Sequence, residues 1–99
     1  MGAHNEKRKL LVELPFENIP QLPGEHLAVA WSRLAEGLPS RFYPNVLFTS
    51  PRAYGFAVHN RVYAACTHGP AKRRVQALMW MKKAILLSVH LRLTGVVCD

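Results

Sequence analysis

Leu10, Val12 and Leu14 fall on one side of an extended chain, and Leu11 and Glu13 on the other, so residues 7–14 read as a strand. The next residues hold Pro15, Pro20, Pro23 and Gly24, which predicts an extended loop over 15–24, anchored by Phe16, Ile19 and Leu22. The period then changes. Leu27, Trp31, Leu34 and Leu38 recur at helical spacing with Ala28 and Ala35 beside them. That predicts a helix over 25–36, stopped by Gly37 and Pro39, with Trp31 in the core.

After a linker at 41–44, residues 45–50 read as a strand and Ser50-Pro51-Arg52 as a turn. Residues 54–58 and 61–67 are rich in aromatic and β-branched types and are separated by His59-Asn60, which predicts a hairpin. Gly55 inside the first run marks a bulge or a close backbone approach.

The strongest helix signal runs from Pro70 to Leu87. Gly69-Pro70 is a stop and a start, and good helix formers follow. Val75, Leu78, Met79, Lys82, Leu86 and Val89 form one stripe, while Trp80, Ala84, Leu87 and Leu91 cover much of the other side. A helix apolar on both sides wants two neighbours, such as its own sheet and a partner chain. Residues 88–97 alternate like a strand yet also continue the helix acceptably, and Gly95 ends either. The fold expected is one compact α+β domain over 1–99, with a three- or four-stranded antiparallel sheet and two helices on one face. Its helix–three strands–helix core occupies 25–87, and residues 1–6 are loose.

Charge changes the picture more than composition does. The net charge is +7, and residues 37–98 hold nine Lys and Arg and no carboxylate. A surface tuned only for solubility mixes both signs, so the asymmetry points to a polyanionic partner. Lys72, Arg73 and Arg74 sit on the first helical turn, where free backbone N–H groups and side-chain charge converge and phosphate is the natural ligand. Arg52 and Arg61 would join them, with Arg41 nearby. Tyr43, Tyr54 and Tyr63 are interleaved with these arginines and could stack on bases or pack in the sheet.

Other chemistry is thinly represented. Cys66-Thr67-His68 is the one compact nucleophile–base pair, without an acid to orient the histidine. His59, Cys66, His68, His90 and Cys98 lack metal-ligand spacing, and the early glutamates form no catalytic pair. No cofactor, metal site or enzymatic activity is expected. Two cysteines make no disulfide framework, and no run is long enough for a membrane span, so a reducing, cytoplasmic compartment is the default.

The order helix, three strands, helix over 25–87 resembles the double-stranded-RNA-binding domain. Gly69, Lys72 and Arg73 match the glycine and first two cations around that family's K-K-x-A-K motif. Val75 and Gln76 replace its small residue and third lysine, Met79 and Trp80 its alanine pair, and the Ser50-Pro51-Arg52 loop is shorter than the family's. The resemblance implies phosphate recognition across duplex RNA, with Glu25 and His26 at a minor groove. The leading expectation is therefore non-enzymatic RNA binding through Lys72, Arg73, Arg74, Arg52 and Arg61. The alternative is a small basic protein–protein interaction module, an oligomer or an inhibitor or accessory protein docking on an acidic partner, through Met79, Trp80, Met81 and Leu87. Attachment to an anionic membrane through residues 80–83 is a third reading.

Overall fold

The computed structural model describes residues 18–45 and 50–96. Among these residues three α-helices carry the structure: α1 (Glu25–Leu34), α2 (Pro51–His68) and α3 (Ala71–Leu93). Short 3₁₀ turns at Ala35–Gly37 and Ser40–Phe42 follow α1. Each helix packs on both others. There is no strand among the described residues, so the expected α+β fold is replaced by an all-helical one. The element order behind the likeness to the RNA-binding domain goes with it. The strand expected at 7–14 lies outside the described residues, as do residues 46–49 of the strand expected at 45–50, whose last residue, Ser50, is the cap of α2.

The hairpin expected at His59-Asn60 is the middle of α2. Ser50 caps this helix, its Oγ accepting a hydrogen bond from the Ala53 backbone N–H at 3.1 Å, and Pro51 opens the first turn. Gly55, Val58, His59, Val62 and Cys66 then form one buried line at helical spacing. Burial of that line outweighs the strand preference of the β-branched and aromatic residues around it. The tail also resolves as helix: α3 runs on to Leu93, and Gly95, at φ 75°, turns the chain in the left-handed region that favours glycine.

Cross-contacts give the directions. Arg52 pairs with Glu25, Gly55 meets Ala28 and His59 bonds Trp31, so α1 and α2 run parallel. His26 near the start of α1 bonds the Val96 carbonyl beyond the end of α3, so α3 runs antiparallel to α1. A Cβ at Gly55 would lie 1.8 Å from the Ala28 carbonyl oxygen. The close backbone approach anticipated at this glycine is thus a helix crossing.

The core contains one polar chain. The Trp31 indole N–H donates to His59 Nδ1 at 2.8 Å, and both side chains are fully buried. Indole nitrogen is a donor only, so Nδ1 must accept and Nε2 carries the proton. Nε2 then donates to the Pro20 carbonyl at 2.8 Å, fastening residues 18–24 to the middle of α2. His59 also stacks on Tyr63. Burial holds the His59 pKa below the ordinary imidazole value, against the opposing pull of the Pro20 and Gln21 backbone.

The inward line of α3 is Ala77, Met81, Ala84, Ser88 and Leu91. It lies opposite the stripe anticipated from hydropathy. Small residues at three of these positions let the backbones approach, and the Ser88 hydroxyl donates to the Ile85 carbonyl.

Two outcomes follow from this core. Gly55→Ala must part α1 from α2 and is expected to lose about 3 kcal/mol or more, the upper range for overpacking, measured by urea unfolding. Acid should also destabilise the fold. Unfolded chains take up a proton at His59 near the ordinary histidine pKa while the folded core resists it, so stability falls as pH drops below about 6.5. The slope contributed by this residue is at most about 1.4 kcal/mol per pH unit. Urea midpoints at pH 7.5 and 5.5 measure it, with His59→Gln expected to flatten the difference.

Candidate polyanion-binding corner

At the end of the bundle where α2 stops and α3 begins, the chain reverses through Gly69 and Pro70. The Gly69 N–H bonds the Ala65 carbonyl, and the Arg74 N–H bonds the Pro70 carbonyl. The Arg74 side chain reaches back, Nε donating to the Cys66 carbonyl at 3.0 Å. That carbonyl is one of the four a helix end leaves without an intrahelical partner, and a cation there also suits the helix dipole.

The Ser40–Phe42 turn joins this corner. Phe42 is buried in the core, and the Arg41 guanidinium sits over its ring, 5.2 Å from the centroid. Arg61 Nη2 donates to the Arg41 carbonyl at 3.0 Å, tying the turn to α2. Two neighbouring clefts result. One, of about 420 Å³, is lined by Arg41, Arg61, His68 and Arg73, with Phe42 and the Gly69-Pro70 turn among its walls. The other, of about 440 Å³, is lined by Arg41, Pro70, Lys72, Arg73 and Gln76. They share Arg41, Pro70 and Arg73, and among the described residues no carboxylate lines either.

The structure therefore divides the five expected phosphate contacts. Lys72, Arg73 and Arg61 come together. Arg74 lines neither cleft and spends its Nε–H on the turn. Arg52 lies on the first turn of α2, about 13 Å along the helix from Arg61. There its Nη1 is 2.9 Å from Glu25 Oε1. Arg41 and His68 complete the corner. Arg41 joins because the 3₁₀ turn sets it against Arg61 and Arg73, 20 and 32 positions away, and His68 because it ends α2 just before the reversal.

The tyrosines are elsewhere. Tyr63 packs on His59, while Tyr43 and Tyr54 line a separate cleft of about 500 Å³ with Ser32, Glu36 and Ser50. The residues named for a protein interface also separate. Met81 is fully buried in the core. Met79 is exposed, while Trp80 and Leu87 are half-buried, Trp80 lying beside Gly37 under the Lys83 ammonium.

Cys66 and His68 do not form a pair. Two positions along a helix point about 200° apart. Cys66 is fully buried and His68 is exposed. Burial pushes the Cys66 thiol up to about 11, against a smaller opposing pull from Arg74. Among the described residues no three His, Cys, Asp or Glu side chains are grouped to hold a metal ion. No helix among them is long and apolar enough to cross a membrane. Comparison with family profiles, curated proteins and solved structures finds no match to this chain.

Native Cys66 is accordingly expected to react with iodoacetamide at pH 7 far more slowly than free cysteine, and at the free rate in urea. Mass spectrometry of the peptide carrying Cys66 gives both rates.

Proposed function

We propose that this protein is a non-enzymatic nucleic-acid-binding protein that holds phosphates at the α2–α3 corner. The observation that carries the reading is the pair of adjoining clefts around Arg41, Arg61, His68, Lys72 and Arg73, lined by no acid among the described residues. Arg41 and Arg73 are central, being common to both. Guanidinium groups grip phosphate oxygens in a planar, two-pronged geometry, and Lys72 adds a point charge. Arg61 also has a positioning role, since it holds the turn that presents Arg41.

Contacts of this kind fix the protein on a backbone without reading sequence. The preference for duplex RNA rested on the order of strands and helices and is not retained, so RNA and DNA are equal candidates. An acidic protein would meet the same cations and is the alternative occupant. The reading goes with a reducing, cytoplasmic setting, supported by the low cysteine content.

The test is a titration of labelled duplex RNA, duplex DNA and single strands at two salt concentrations. Binding should weaken steeply with salt. Arg41→Ala with Arg73→Ala should reduce affinity by roughly tenfold or more and flatten the log–log salt slope by about 2, with circular dichroism unchanged. Arg52→Ala should leave both nearly unaltered. Salt-insensitive binding, or equal loss from Arg52→Ala, would sink the assignment.

A further inference from the structure

The face of α3 turned away from the core is apolar. Val75 is 64% exposed, Met79 48% and Leu93 70%. Half-buried Lys82, Leu86 and Val89 lie between them. These six positions follow one another at alternating steps of four and three, so they form one ridge about 27 Å long, directly opposite the buried line of Ala77, Met81, Ala84, Ser88 and Leu91. Exposed Lys72, Lys83 and His90 fall in a row roughly 60–80° around the helix from its centre. α3 has six Lys and Arg among its 23 residues and no acid.

We infer that this ridge is a docking surface for an anionic lipid bilayer, with α3 lying in the plane of the interface. Three observations select that occupant. The charge of the helix is of one sign, complementary to acidic headgroups. The ridge is a convex single-helix face, and the corner clefts and the Tyr43–Tyr54 cleft are lined almost wholly by other residues, so a bilayer suits it better than a helix that needs a groove. Lys82 interrupts the apolar line at its middle. Against a bilayer its long stem lies along the acyl boundary while the ammonium reaches the headgroups. A second copy of the chain would instead set two acid-free helices against each other, Lys82 and Lys83 facing like charges.

The six ridge residues line neither corner cleft, Lys72 alone standing beside both surfaces, and the test of the ridge does not depend on the clefts. The full-length chain is sedimented with vesicles of phosphatidylcholine alone and of phosphatidylcholine mixed with phosphatidylglycerol. Binding is expected to the mixed vesicles only. Val75→Gln with Met79→Gln and Leu93→Gln changes no charge and touches only exposed positions. It should lower partitioning by roughly tenfold or more while circular dichroism and thermal unfolding stay as in the parent. Arg41→Ala with Arg73→Ala, on another side of the molecule, should keep that dependence on the apolar residues. No binding to mixed vesicles overturns the proposal. So does equal binding by the triple variant, which would mean charge alone is at work, or a doubled mass in light scattering that the triple variant abolishes.

Discussion

Everything in this bundle is arranged around an imidazole that has given up its contact with water. His59 sits mid-way along α2, bonded on one nitrogen to the Trp31 indole of α1 and on the other to the Pro20 carbonyl. A buried donor or acceptor without a partner costs about 1–3 kcal/mol, so neither bond can be dropped cheaply. Hydrophobic contacts tolerate sliding, whereas two directional bonds on one ring do not. Together they set the rotation of α2, its register against α1 and the route of the segment that enters α1. The Gly55–Ala28 crossing, one turn away, lets the two backbones come close enough for the indole to reach the ring.

This centre was only partly visible in the order of residues. Helical spacing located α1 and the burial of Trp31, and Gly69-Pro70 located the start of α3. α2 was hidden because Tyr54, Val58, Val62, Tyr63 and Thr67 favour strands when taken singly, and His59-Asn60 looks like a turn. The Ser50-Pro51 cap and the spacing of Gly55, Val58, Val62 and Cys66 were the opposing signals. They became decisive only with α1 present to bury them. On α3 the sequence left the core side open. With apolar residues on both sides, hydropathy cannot say which side is the core, and the backbones chose the side with Ala77, Ala84 and Ser88, where close packing is available.

The candidate site was legible in charge and not in geometry. The missing carboxylates of residues 37–98 pointed toward a class of partner, but nothing in one dimension showed that Arg52 would be held by Glu25 or that Arg41 would share its clefts with Arg61 and Arg73. A cationic corner of this kind is also opposed by its own fold. Lys72 and Arg73 sit at the positive end of the α3 dipole, and no acid among the described residues lines their clefts to relieve the repulsion between them. The stabilising contacts are side-on ones: Arg61 to a carbonyl, Arg74 to a helix end, Arg41 to the Phe42 ring.

The lack of acids around the clefts has a consequence for proton linkage. Most cationic surfaces lose part of their field only as flanking carboxylates ionise, so their attraction for polyanions changes between pH 3 and 6. Here no carboxylate among the described residues lines the clefts to titrate. Acidification therefore acts differently on the two regions: the core around His59 loosens, while the described lining of the corner holds no carboxylate whose protonation would alter its charge. A ligand held there binds the folded chain preferentially and offsets the loss. Its stabilising effect would grow in relative weight as the protein's own margin shrinks.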